Sequence, residues 1–228
     1  MANQARGARH SKSGEHRRAD GVRTRARLLD VAEELFADLG VEAVSVRSVN
    51  AAAGLAPASV HYHFRDKDGL VRAVIARRGE MVIRRQAELL AQIERLRRRP
   101  RAEEVVRLLA DPFHDLLRRE PTGGARWLTI VADLVAANDE RVYQVGFGPG
   151  SVQERINRCA AAAFPALPEP EISLRWRLAS TALLQLMASS APVLATDAGD
   201  REYEVIVGFV AAGLAGVCVR KNAHGQSR

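Results

Sequence analysis

Residues Ser45 to Phe64 read SVRSVNAAAGLAPASVHYHF, and this stretch decides how the chain is organised. Ser45 is suited to cap a helix, since its hydroxyl can accept from the free amides of a first turn. Val46, Val49 and Ala53 recur at three- and four-residue spacing and therefore share one helical face. Gly54 follows where the chain must leave that helix through a left-handed backbone conformation. Pro57 then suits the first turn of a second helix, because its missing N–H would have no partner there. The stretch reads as helix, short glycine turn, helix.

At about 100° per residue, the second helix divides into two sets. Pro57, Val60, His61 and Phe64 fall on one side, with Val60 and Phe64 able to pack inward. Ala58, Ser59, Tyr62 and His63 fall on the other, a small and polar surface with one aromatic ring that suits a major groove. No Asp or Glu lies between Glu42 and Asp66, so nothing in the segment repels phosphate.

Working outward, Leu28, Leu29, Ala32, Leu35, Phe36 and Leu39 mark an amphipathic first helix, with Thr24 as its predicted cap and Gly40 as its end. Beyond Phe64, Asp66 caps a further helix through Leu70, Val71, Val74 and Ile75. Lys67 in its first turn opposes the helix dipole, a penalty that a phosphate at the helix amides would reverse. Lys67 is therefore read as a phosphate anchor.

The pieces LLDVAEELFADLG, AVSVRSVNAAAGLAPASVHYHF and DKDGL, spanning Thr24 to Ile75, resemble the N-terminal domain of the tetracycline-repressor (TetR) family. Three residues depart from the family pattern. Ala56 stands where a capping Ser or Thr is usual, Asn50 where an apolar or small residue is usual, and His61 where Tyr is usual. The resemblance implies an all-α homodimer whose helix-turn-helix heads bind a double-stranded DNA operator. On that basis DNA contacts are expected from Ser45, Arg47, Pro57, Ala58, Ser59, His61, Tyr62, His63 and Lys67.

Charge agrees with this layout. The chain has 228 residues and a formal net charge of +7. Residues 1–78 carry 14 Lys/Arg against 9 Asp/Glu, a balance of +5, and the remainder is nearly neutral. A basic first third on a neutral body is the footprint of a polyanion-binding module. The predicted units are a disordered basic tail over 1–20, a DNA-binding domain over 21–78, and an effector-binding and dimerisation domain over 79–228.

The body reads as helices only. They are predicted over Gly79–Arg98 (core positions Ile83, Ala87, Leu90 and Ile93) and over Ala102–Arg119, with a kink or break at Pro112. Further helices are predicted over Arg126–Ala137 and Ser151–Phe164, separated by the loop GFGPG at 146–150. PALPEP at 165–170 reads as a linker. Leu178–Thr196 and Val205–Val219 contain no charged residue. Both fall at or below the roughly twenty residues that span a bilayer, and Gln185, Ser189, Ser190 and Pro192 interrupt the first, so no membrane partner is expected. A partner protomer is the expected cover, with Leu183, Met187, Gly208, Ala212 and Gly216 at the dimer interface.

Catalytic and metal-binding signatures are missing: no HExxH, no phosphate-binding loop, no G-x-S-x-G and no clustered Cys/His. Cys159 and Cys218 make no CxxC and read as free thiols in a reducing cytosol. No apolar run follows the basic N-terminus, so no secretory signal is predicted. No enzyme activity, cofactor or metal is expected. A small-molecule effector is implied by the resemblance, and Phe113, His114, Trp127, Val131, Phe147, Trp176 and Leu184 are the candidate lining, with Asp133, Ser180 and Gln185 as further polar candidates. The alternative reading is a basic helical protein that binds nucleic acid without sequence preference.

Overall fold

The computed structural model describes the backbone of residues 4–96, 98–144 and 150–216, and side chains from residue 18 onward outside the same gaps. Every regular element among them is helical. The helices are α1 (Gln4–Leu39), α2 (Val46–Ala52), α3 (Ser59–Phe64), α4 (Lys67–Arg95), α5 (Ala102–Arg119), α6 (Pro121–Ala136), α7 (Glu140–Tyr143), α8 (Val152–Ala163), α9 (Glu169–Ser189), α10 (Ala191–Leu194) and α11 (Asp200–Ala215). The fold is therefore all-α, as the resemblance implies.

The head is built by α1 to α3 and the first turns of α4. Leu28, Ala32, Phe36, Val49, Val60, Leu70 and Val74 are buried together in its core. Gly40 and Gly54 both carry positive φ, at 80° and 62°, where an L side chain would be strained. The body packs the second half of α4 together with α6, α8, α9 and α11 around α5.

Several boundaries differ from expectation. Helix α1 begins at Gln4, so residues 4–20, expected to be disordered, carry helical backbone and Thr24 caps nothing. Ala, Arg, Gln, Glu and Lys in this stretch are good helix formers, and no proline interrupts them. Helix α4 is one element rather than two. At the predicted boundary Arg77 and Arg78 are held by ion pairs to α1, and Gly79 is buried inside the helix. The buried face of α4 beyond that point runs through Val82, Gln86 and Leu90, so it is turned by about one residue from the predicted stripe.

Helix α5 continues through Pro112, which is buried between Ala110 and Phe113. The proline forgoes one backbone hydrogen bond, and the apolar face with Leu109, Phe113, Leu116 and Leu117 keeps the helix in place. Helix α6 opens five residues early, with Pro121 in its first turn. The apolar stretch at 178–196 divides between α9, which starts at Glu169, and the short α10.

Candidate nucleic-acid interface and ligand cavity

The helix-turn-helix is fastened by three side chains. Ser45 caps α2, its hydroxyl accepting from the Ser48 N–H at 3.0 Å while Ser48 Oγ accepts from the Ser45 N–H at 3.0 Å. Asp66 caps α4, accepting from the Gly69 N–H at 2.7 Å. Helix α3 has no capping side chain of its own, because Ala58 precedes it and Ala56 occupies the turn. The buried Asn50 takes over that work: its Oδ1 accepts from the Val60 N–H at 3.2 Å and its Nδ2 donates to the Pro57 carbonyl at 2.7 Å. Two departures from the family pattern thus explain each other. A polar residue on α2 supplies the hydrogen bonds that a capping hydroxyl in the turn would supply.

Gly69 is required by proximity. A Cβ there would lie 2.0 Å from the Phe64 carbonyl oxygen, so the α3–α4 corner closes only over glycine. Arg65 makes that corner with φ of 73°, uncommon for a long side chain. Its carbonyl lies 2.6 Å from His61 Nδ1.

This geometry presents Tyr62 outward, 82% exposed, with Ala58, Pro57 and His61 on the same open side. His61, expected among the DNA contacts, is exposed, because Val60 and Phe64 alone fill the inner face. His63 was expected in the groove-facing set and is half-buried, with its ring 4.9 Å from the Tyr62 ring, edge-on. Burial and the nearby Arg25 guanidinium push the His63 pKa below its usual value, so it is neutral at pH 7. Arg25 sits 4.9 Å over the Phe64 ring. Neither it nor Arg27, Arg47 or Arg65 has a carboxylate partner among the described residues.

Lys67 is engaged differently. Its Nζ donates to the Glu42 carbonyl at 3.2 Å and lies 3.6 Å from the Glu42 carboxylate. Glu42 also pairs with Arg141 of α7, whose guanidinium reaches Asp139 and, at 3.1 Å, Asp68 in the first turn of α4. The Arg141 hydrogen bond, with Lys67 second, holds the Glu42 carboxyl below its usual pKa. Deeper in the seam, Arg78 pairs with Glu33 of α1 and with Glu120 at 2.8 Å, and Arg126 reaches Glu34 at 3.0 Å. Head and body are thus joined by α4 and by three arginines that grip acids of the head. Sequence reasoning missed this seam, since the pairs that Arg78, Arg126 and Arg141 make with Glu33, Glu34, Glu42, Asp68 and Glu120 are separated by at least 42 residues.

In the body, α4 to α9 enclose a cavity of about 360 Å³. Phe113, Trp127, Val131, Trp176 and Leu184 line it as predicted, together with Ser180 and, unpredicted, Ile75, Gly79, Val82, Ile83 and Gln86 of α4. Both indole N–H groups are already occupied. Trp127 donates to the Val74 and Ile75 carbonyls at 3.1 and 3.0 Å, and Trp176 to Asn157 Oδ1 at 2.9 Å. The rings therefore present carbon to the interior.

Three expected lining groups belong elsewhere. His114 stacks on Tyr203 with ring centroids 4.2 Å apart, because its position on α5 turns it toward α11. Asp133 and Gln185 pair with each other at 3.4 Å across α6 and α9, away from the cavity. Phe147 lies outside the described residues, as does Cys218. Burial pushes the Cys159 thiol up to about 11, so it is no nucleophile at neutral pH.

The outer face of α9 and α11 is apolar and open. Leu174, Leu178, Val205 and Phe209 are exposed, the last two by 63% and 68%. Gly208 and Ala212 lie on this face, and nothing approaches within 4 Å of a Cβ built on Gly208. Gly216 follows just beyond α11 and is exposed. Leu183 and Met187, expected at an interface, are buried inside the protomer because they lie on the opposite side of α9 from Leu174 and Leu178. Among the described residues no helix is long and apolar enough to cross a membrane.

Comparison with known proteins agrees with both halves of this architecture. Residues 28–74 match the model for bacterial regulatory proteins of the tetR family, and residues 107–213 match the tetracyclin repressor-like C-terminal domain. The chain belongs to the TetR family. It is 29% identical over 65 residues to the HTH-type transcriptional regulator UidR of Escherichia coli K12, covering 28% of this chain and 33% of that protein. It is 39% identical over 51 residues to the HTH-type transcriptional repressor KstR2 of Rhodococcus jostii RHA1, covering 22% and 25%. The chain thus spans about a third or less of the length of these curated relatives. A TetR-like transcriptional regulator from Rhodococcus sp. RHA1 shares the fold, with a TM-score of 0.51 and 20% identity over 85% of this chain and 97% of the other.

Proposed function

We propose that this TetR-family protein is a ligand-responsive DNA-binding repressor, acting in the cytoplasm as a homodimer on a palindromic operator and released by a small apolar or aromatic effector. The observation that carries the reading is the outer face of α3. Tyr62 stands exposed beside Ser59, and the same head carries cationic side chains without carboxylate partners among the described residues (Arg25, Arg27, Arg47 and Arg65). A helix so presented can enter a major groove while the arginines meet phosphates. The apolar face of α9 and α11 supports two-fold pairing, which sets two heads for half-sites about 34–36 Å apart. The cavity among α4 to α9 supports effector binding, since its carbon-rich lining suits an apolar guest. Because Lys67 is held by Glu42, its contact with phosphate requires the ammonium to exchange that partner.

The test is selection of duplexes from a random pool, followed by binding of wild type and Tyr62→Ala to the selected duplex and a scrambled one. A specific regulator selects an inverted repeat, and Tyr62→Ala loses about 1–3 kcal/mol on that duplex alone. Selection of no common sequence, or equal loss on both duplexes, would replace this reading with a basic protein that binds nucleic acid without preference.

A further inference from the structure

Four polar or charged side chains among the described residues are buried: Glu33, Asn50, Arg78 and Gln86. Glu33 and Arg78 pair with each other, and Asn50 bonds the backbone at the turn before α3. Gln86 is 6% exposed and lines the cavity, yet its amide has no hydrogen-bond partner among the described residues. The amide faces the cavity, so the partner that satisfies it, water or the polar group of a guest, reaches it from the cavity side.

We propose that Gln86 reads the single buried polar group of the effector, and that this effector is a neutral, mainly apolar molecule bearing a carbonyl or hydroxyl oxygen. The assignment rests on the reading of the cavity as a ligand site. A primary amide offers two donors and one acceptor oxygen, which complements a ketone, an alcohol or another amide. Neighbouring Val82, Trp127 and Val131 supply only carbon to the interior once the indole N–H is bonded to α4. An ionised group beside Gln86 would therefore be buried without a counter-charge, and the cavity's cation, Arg177, lies on an exposed part of its lining. Among the other polar lining groups, Ser173 and Ser180 bond Glu169 and the Arg177 carbonyl, Asn157 Oδ1 accepts from both Trp176 and Gln153 and the residue is exposed, and the half-buried Thr181 hydroxyl remains as a second, less buried polar contact.

The experiment uses the full chain and a matched pair of probes, benzophenone and diphenylmethane, which differ by a carbonyl in place of a methylene. Calorimetric titration is expected to give wild type a preference for the ketone of about tenfold, the worth of one hydrogen bond that spares a buried amide. Gln86→Leu should abolish that preference by weakening the ketone while holding or tightening the hydrocarbon. Gln86→Met serves the same comparison should the leucine variant fail to fold. Equal binding of both probes to wild type, or a preference that survives loss of the amide, overturns the role of Gln86 and leaves the cavity as a ligand site. No binding of either probe at millimolar concentration overturns the cavity reading itself, and Gln86 with it.

Discussion

The outer face of the head and the interior of the body meet their partners in opposite ways. On the head, the proposed reading groups stand in solvent on a six-residue helix fixed by one asparagine, and Arg25, Arg27, Arg47 and Arg65 of the same head have no carboxylate partner among the described residues. In the body, the proposed reading group is an amide set among rings and aliphatic chains from six helices. A polymer with regular charge is met by many exposed contacts, each weakened by salt. A small guest is met by burial, where one polar group discriminates because nothing else can satisfy it.

The sharpest way to break this contrast is at the seam between the two regions. Arg78→Ala strips the buried Glu33 of its hydrogen-bonded partner and leaves it only Arg77 at 3.6 Å; burial already pushes that carboxyl above its usual pKa, with Arg78 the main opposing influence. The expected loss is about 3–5 kcal/mol, read as a fall in thermal or denaturant midpoint. The next effect belongs to the head alone. Asn50→Ala leaves the Val60 N–H and the Pro57 carbonyl without this partner and should cost about 2–3 kcal/mol. Amide exchange would report it as faster opening of α2 and α3 with protection in α8 and α9 unchanged.

Adding Ala56→Ser to that variant should return about 1 kcal/mol, since a hydroxyl in the turn can cap α3 directly. No recovery would mean that Asn50 does something other than replace a cap. The smallest effect is a pH dependence confined to the head. The folded pKa of His63 lies below the ordinary histidine value of about 6.5, so the unfolded chain binds the proton more readily. Stability therefore declines as pH falls below about 6.5 and stops declining beneath the folded pKa. His63→Gln should flatten that part of the curve, measured by denaturation between pH 7.5 and pH 5.

The head was legible because its signals are local. A capping serine, a glycine at positive φ and an aspartate cap lie within 22 residues of one another, and each acts through its own neighbours. Even there, Asn50 stood out as unusual without revealing its task, because its partners lie seven and ten residues on. The cavity was half legible. Phe113, Trp127 and Trp176 are conspicuous in a chain poor in aromatics, and the structure brings them together. Gln86 sits in the run RRQAE, which reads as a solvated helix face, and only the packing of α5 and α6 against α4 buries it. Leu183 and Met187 were assigned outward because an apolar helix offers no polar stripe from which to judge its inner side.

The arginine seam also bears on how portable the head is. Its acids Glu33, Glu34, Glu42 and Asp68 face guanidinium groups, of which Arg126 and Arg141 belong to the body. A head exchanged onto another body at a point in α4 beyond Arg78 keeps Arg78, yet it loses those two counter-charges and the Glu120 that shares Arg78. Recombination between relatives therefore succeeds only where the recipient offers cations at the same places, and the unit that travels intact is the head together with α6 and α7.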